Sequence, residues 1–231
     1  MNTIRSVCVY CGSSPGNDEL YLKAGNVLGR AIANAGLELV YGGGGKGIMG
    51  AVADGALRAG GKVTGIIPRF LMTKEATQAA LQRLNELVVT ENMHERKHIM
   101  FEKSDSFVAL PGGIGTVEEI IEIMTWAQLG HHRKPIVFGN INGFWNPMLV
   151  LLDHMRNEGF VHTGHLVAPV VVDAAEAIVP AILVEASADD VPNEGVKSVI
   201  DRLYENCSSE LRVRRLSLAY PTRRLAKIDQ E

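Results

Sequence analysis

Apolar positions along the chain follow two alternating rhythms. Short runs alternate or are continuously apolar, as strands are. Longer stretches repeat their apolar residues every three or four positions, as helices do. "SVCVYC" (6–11) reads as a strand. "ELYLKAGNVLGRAIANAG" (19–36) reads as a helix closed by Gly36, and "LELVY" (37–41) as the next strand. The series continues with a helix in "AVADGALRAG" (51–60) and a strand in "KVTGIIP" (62–68). "RFLMTKEATQAALQRLN" (69–85) is a mixed connection, followed by a strand in "ELVVTE" (86–91). Asn92 is placed to cap a helix from Met93 to about Lys103. "SFVALP" (106–111) is a strand running into a loop and helix over 112–130. Strands are then expected at 134–140 and 165–172, with helices at 146–159 and 173–186, the last despite Pro180.

Strands that alternate with helices pair in parallel through right-handed crossovers. The expected fold is α/β, a doubly wound Rossmann-like parallel sheet with helices on both faces. Residues 1–186 read as one Rossmann-like domain. Residues 187–231 read as a polar and basic extension, partly helical over "VKSVIDRLYENC" (196–207) or mobile.

The 231 residues carry a formal net charge of −3, so composition offers nothing to coat nucleic acid or an anionic membrane. An anionic ligand would need helix N-termini and a few placed cations. No segment approaches the roughly 20 apolar residues of a membrane span. No signal-peptide pattern opens the chain, and it reads as cytoplasmic. Cys8, Cys11 and Cys207 are too few for a disulfide framework, and Cys8 and Cys11 fall on opposite faces of a strand.

Glycine-rich loops follow three strands: Gly12-Ser13-Ser14, Gly42 to Gly47, and Gly112 to Thr116. In an open parallel sheet such loops surround the ligand crevice. Ser13, Ser14, Gly43, Gly44 and Gly45 are candidate lining residues. The dinucleotide fingerprint fails, because no ribose-binding acid ends the next strand. The P-loop fails because Gly47 follows Lys46 and Val40 stands where the first glycine belongs.

"MHERKHIM" (93–100) spells H-E-x-x-H with His94 and His98, the pattern of helical zinc sites. A catalytic zinc wants a third protein ligand, which no downstream motif offers, so no metal is expected. Arg96 shares a helical face with Met93 and Met100 and is expected to turn inward, toward an ion pair or the crevice. In "PGGIGTVEE", Thr116 and Glu119 match a capping box, which spacing alone favours as the role of Glu119. Glu122 and Lys134 read as surface charges, and His131-His132 as cations at a helix end. No stretch recommends a pyridoxal-dependent decarboxylase, and no cofactor is expected.

The motifs P-G-G-x-G-T-x-x-E (111–119) and M-H-x-R-K (93–97), with "YGGGGKGIMG" (41–50), resemble the LOG (LONELY GUY) family over most of the chain. These are nucleoside 5′-monophosphate phosphoribohydrolases, long mislabelled lysine decarboxylases. The resemblance implies a Rossmann-like homodimer that hydrolyses the N-glycosidic bond of cytokinin nucleotides or AMP to free base and ribose 5-phosphate. It implies Arg96 and Glu119 as the catalytic pair. Its substrate contacts are Glu75, Arg96, Lys97, Gly112, Gly113, Ile114, Gly115, Thr116, Val117, Glu118, Glu119 and Thr125. A non-catalytic carrier of a phosphorylated cofactor, such as the molybdenum cofactor, is the alternative use of the same crevice.

Overall fold

The computed structural model describes residues 3–161, 169–188 and the strand 213–215. Seven strands form a parallel sheet: β1 (Ser6–Tyr10), β2 (Glu38–Tyr41), β3 (Val63–Pro68), β4 (Glu86–Thr90), β5 (Ser106–Ala109), β6 (Ile136–Gly139) and β7 (Val170–Val172). Their order is β4-β3-β2-β1-β5-β6-β7. The chain winds outward from β1 to β4, returns to the other side of β1, and winds out again. The reversal lies between β1 and β5, where Val7 to Tyr10 pair with Ser106 to Ala109. An open crevice forms at such a switch point, outside the carboxyl ends of the strands.

Helices cover both faces, as expected. On one face lie α1 (Glu19–Asn34), α2 (Gly47–Arg58) and α8 (Ile178–Ala188). Their Leu28, Ile32, Val52, Ala56, Ile178 and Ile182 pack on Val7, Val9, Leu39 and Val137. On the other lie α5 (Met93–Glu102), α6 (Ile114–Gln128) and α7 (Asn146–Asn157). Their Met100, Ile120, Ile123 and Leu152 pack on Cys8, Tyr10, Phe107 and Phe138. Odd and even residues of β1 thus feed different cores, and the buried Cys8 and Cys11 fall in different ones.

The local signals act where the sequence puts them. Gly36 takes φ +71, with Leu37 N–H on the Ile32 carbonyl and Gly36 N–H on that of Ala33, a Schellman closure of α1. Asn92 accepts from the Glu95 N–H to start α5. Pro180 sits in the first turn of α8, where its missing N–H costs no helical bond.

Four features differ from expectation. α2 begins four residues early, inside the glycine run, where the Gly50 N–H closes the first turn on Lys46. Glycine's low helix propensity hides that start. The connection 69–85 contains two short helices, α3 (Met72–Glu75) and α4 (Gln78–Gln82). The strand expected at 165–172 is described only as β7. Finally, Val213–Arg215, read as part of a solvated extension, form an antiparallel strand β8 on β7. The helix considered at 196–207, and Cys207, lie outside the described residues.

Candidate active site

The loops after β1 and β5 are tied together at the crevice. Gly12 N–H donates to the Pro111 carbonyl at 3.0 Å, and Met49 N–H donates to the Gly12 carbonyl at 3.2 Å. The glycines are required by proximity. A Cβ on Gly112 would collide with the Thr116 hydroxyl, and a Cβ on Gly42 would collide with the Arg96 guanidinium. Gly43 takes φ +74 against Ile67, while Gly44 faces Met49 and Gly45 N–H bonds the Glu75 carbonyl. Ser13 and Ser14 are exposed, and their backbone abuts Gly47 at the start of α2.

Gly113 caps α6 with backbone alone. The first-turn N–H groups, from Ile114 to Thr116, have no earlier carbonyl within the helix and carry the positive end of its dipole. Ile114 is 90% exposed, and Gly113 and Gly115 are exposed beside it. Thr116 is buried against Gly112, and Val117 packs into the α5–α7 face of the core. Because the helix starts at Ile114, Thr116 is its third residue and Glu119 its sixth. The capping-box alternative for Glu119 is therefore wrong.

Glu119 lies on the buried stripe of α6 with Thr116, Ile120 and Ile123. Arg96 is likewise on the buried stripe of α5 with Met100. The inward turn predicted for Arg96 is correct. The two charges meet at 3.7 Å between Arg96 Nη2 and Glu119 Oε1, with side chains only 5% and 8% exposed. Arg96 Nη2 also donates to the Gly42 carbonyl at 3.5 Å, in the glycine loop that follows β2. Burying either charge alone costs several kcal/mol, and facing each other they offset part of it. The compensation is incomplete, since Arg96 Nε is buried with no hydrogen-bond partner, as is Glu75 Oε2 outside the pair. Such orphaned groups are rare in cores and concentrate where a ligand belongs.

Burial pushes the Glu119 carboxyl up to about 7. The Arg96 guanidinium opposes the shift, the Glu118 and Glu75 charges add to it, and Lys97 opposes it again. A carboxyl poised near neutrality exchanges protons readily at physiological pH.

Lys97 and Glu118 flank this pair. Lys97 Nζ bonds Glu118 Oε1 at 2.5 Å and Glu122 Oε2 at 3.1 Å. Glu122 is therefore not a free surface charge. Its signal was its place four residues after Glu118, on the same face of α6. Thr125 stands apart: it is exposed, bonds its own helix at the Ile121 carbonyl, and lies about 9 Å along α6 from Glu119 by helical rise.

Two more expectations are corrected. Lys134 is half buried, with Nζ 3.8 Å from the Phe101 ring centroid and bonded to the Phe101 carbonyl. His132 is no helix-end cation. It is buried, its Nε2 meets the Ile123 carbonyl and its Nδ1 accepts from Lys134 N–H, and burial lowers its pKa. His94 and His98 are exposed, and among the described residues no three His, Cys, Asp or Glu side chains cluster to hold a metal ion.

Residues 49–182 match the protein-family model described as possible lysine decarboxylase. The chain is 45% identical over 159 residues to the cytokinin riboside 5′-monophosphate phosphoribohydrolase of Rhodococcoides fascians, covering 69% of this chain and 79% of that one. It is 46% identical over 157 residues to cytokinin riboside 5′-monophosphate phosphoribohydrolase LOG5 of Arabidopsis thaliana, covering 68% of each. The chain belongs to the LOG family. Among solved structures, the molybdenum cofactor carrier protein of Chlamydomonas reinhardtii matches with a TM-score of 0.58 at 23% identity, over 80% of this chain and 99% of that one. The molybdenum cofactor binding protein of Rippkaea orientalis gives 0.58 at 21%, over 78% and 96%. At that identity the likeness is one of fold. The LOG-family core thus contains the whole of α5 and α6, which carry the buried pair.

Proposed function

We propose that the protein is a phosphoribohydrolase that cleaves the N-glycosidic bond of nucleoside 5′-monophosphates, cytokinin nucleotides or AMP, to free base and ribose 5-phosphate. The observation that carries this reading is the buried Arg96–Glu119 pair at the switch-point crevice. The relatives named phosphoribohydrolases supply the substrate class.

The chemistry follows from charge. Breaking the bond between the base nitrogen and C1′ builds positive charge on the ribose. Glu119, held at the crevice as a carboxylate, stabilises that cation and orients a water toward C1′. The water gives its hydroxyl to the sugar and its proton, through Glu119, to the departing base. Arg96 fixes the carboxylate, and its unpaired Nε–H is a donor left for substrate. The first-turn N–H groups of α6, with Gly112 to Thr116, receive the 5′-phosphate. Glu75, Lys97, Glu118 and Thr125 are the remaining contacts. Thr125 is too far along α6 to join the pair within one chain, which favours a homodimer whose second copy reaches it. Residues 1–186 form the catalytic unit and 187–231 an extension. Among the described residues no helix is long and apolar enough to cross a membrane, and we read the enzyme as cytoplasmic.

A carrier of the molybdenum cofactor would share this fold, but the likeness to such carriers is below 25% identity and a carrier has no use for a buried Arg96–Glu119 pair. Incubation with AMP and with isopentenyladenosine monophosphate, followed by chromatography, tests the reading. Free base from at least one is expected. Well-folded protein that releases none from either would overturn it.

A further inference from the structure

Arg96 and Lys97 are neighbours on α5, and Glu118 and Glu119 are neighbours on α6. They form two ion pairs between the helices, Arg96 to Glu119 inside and Lys97 to Glu118 outside. Glu122 adds a third carboxylate that none of the implied site residues includes. Its two oxygens lie 3.1 and 3.2 Å from Lys97 Nζ.

The two carboxylates on Lys97 differ. The Glu118 side chain is 51% exposed, at the crevice end of α6. Glu122 is one turn farther in and 27% exposed, and Lys97 itself is only 11% exposed. Glu118 is thus free to turn to a ligand, while Glu122 stays beside the lysine. Toward its C-terminal end α5 packs Ile99, Met100 and Phe101 on the core, with Phe101 edge-on to Trp126 of α6 at 4.9 Å. Nearer its start it meets α6 through the ion pairs of Arg96 with Glu119 and of Lys97 with Glu118 and Glu122, and these polar contacts set its roll there. A small roll would carry Arg96 away from Glu119, and misplacement of about 1 Å can cost 10²-fold in rate.

We propose that Glu122 is a positioning residue of the active site: it anchors Lys97 on α6, fixes α5 against α6, and so holds Arg96 in register with Glu119 when Glu118 turns to substrate. This rests on the phosphoribohydrolase reading for its kinetic consequence but not for its structural one.

The test combines two measurements on the full chain. Glu122→Ala should lower kcat/KM for AMP about tenfold, with Glu122→Gln, which keeps an acceptor, falling between. In a Lys97→Met background, Glu122→Ala should change kcat/KM by less than twofold, because its effect passes through Lys97. Solvent exchange of the Arg96 Nε–H, followed by ¹⁵N NMR, should speed up about tenfold in Glu122→Ala and less in Glu122→Gln. Exchange and kcat/KM within twofold of the unmodified protein, or losses that multiply in the double variant, would overturn the proposal. If the unmodified protein releases no base from AMP, the activity reading fails, and the Arg96 exchange rate alone decides the role of Glu122. Should Glu122→Ala not fold, the same two comparisons are made with Glu122→Gln.

Discussion

Arg96 Nη2 and Glu119 Oε1 stand 3.7 Å apart, joining α5 and α6, with both side chains under a tenth exposed. Their positions fall on helical faces that elsewhere carry Met100, Ile120 and Ile123. A purely structural helix interface would place apolar residues there at lower cost, since a buried ion pair is often no more stabilising than a hydrophobic contact. On the proposed reading the charge has a use that apolar residues lack, stabilising a cationic sugar.

Glu119→Gln should therefore separate activity from stability. The amide keeps the shape and loses the charge. Base release from AMP should fall by about 10²- to 10³-fold, the usual cost of one preorganised electrostatic group. The variant leaves Arg96 buried without its counter-charge, so its melting temperature is compared with the unmodified protein's at pH 5 and pH 8, and it should compare more favourably at pH 8, where a carboxylate disfavoured by burial is gone. Steady-state assay and thermal unfolding on one preparation check both. Full activity with Gln at 119 would remove the residue from the chemistry.

The pH dependence follows from the same shift. If Glu119 acts ionised, as proposed, its rise to about 7 makes kcat/KM fall on the acid side with a midpoint near 7. Removing the guanidinium in Arg96→Met should move that midpoint upward. Stability carries the opposite sign. A carboxyl raised in the folded state contributes fully below its unfolded value of about 4.5. That contribution is lost as pH climbs through about 7. Urea unfolding at pH 5 and pH 8 should show Glu119→Gln gaining on the unmodified protein by roughly 1–3 kcal/mol at the higher pH. A pH-independent difference would contradict the raised pKa.

Gly42 tests whether Arg96 must sit where it does. A Cβ there collides with Arg96 Nη2, which donates to the Gly42 carbonyl. Gly42 has no positive φ, so Ala is tolerated by the backbone. Gly42→Ala should fold, yet lose activity on the order of 10²-fold by displacing the guanidinium. Comparison of kcat/KM with far-UV circular dichroism distinguishes displacement from unfolding.

These residues also mark how far the sequence could be read. Strand and helix rhythm located the sheet and the switch-point loops, because parallel strands buried on both faces and amphipathic helices leave strong patterns. Arg96 was legible because Met93 and Met100 flank it at helical spacing. The start of α2 was not, since glycines chosen for close approach to Ser13 and Gly45 also erase helix propensity. Glu122 and Lys134 looked like solvated charges. What binds them, Lys97 and the Phe101 ring, lies 25 and 33 residues away, and only the packing of α5 on α6 and of β6's approach on α5 brings them together. Strand β8 left no trace because its pairing with β7 is made by backbone, which the residue types at 213–215 do not mark.

His132 supplies a pH effect of opposite sign. Its Nε2 meets the Ile123 carbonyl at 2.9 Å and its Nδ1 accepts from Lys134 N–H at 3.1 Å. Both contacts suit the neutral ring with hydrogen on Nε2. A second proton on Nδ1 would face that N–H, with the Lys134 and His131 charges nearby. Burial lowers the folded pKa below the ordinary value of 6.5, with those two charges adding to it and the Ile123 carbonyl opposing. The unfolded chain therefore binds the extra proton first. The stabilisation is complete above about pH 6.5 and is lost as pH falls from there toward the lower folded value. His132 pins the middle of α6, which carries Glu119, to the segment entering β6, so its loss reaches the site. His132→Gln should lower the melting temperature at pH 7.5 by roughly 2–5 °C, the scale of one or two hydrogen bonds in a chain of this size. It should also flatten the decline of stability between pH 6.5 and 5, leaving the Glu119 trend, which runs the other way, exposed. Melting curves across that range, for the unmodified protein, His132→Gln and the double variant with Glu119→Gln, separate the two groups. An acid decline equally steep with and without His132 would exclude it as the source.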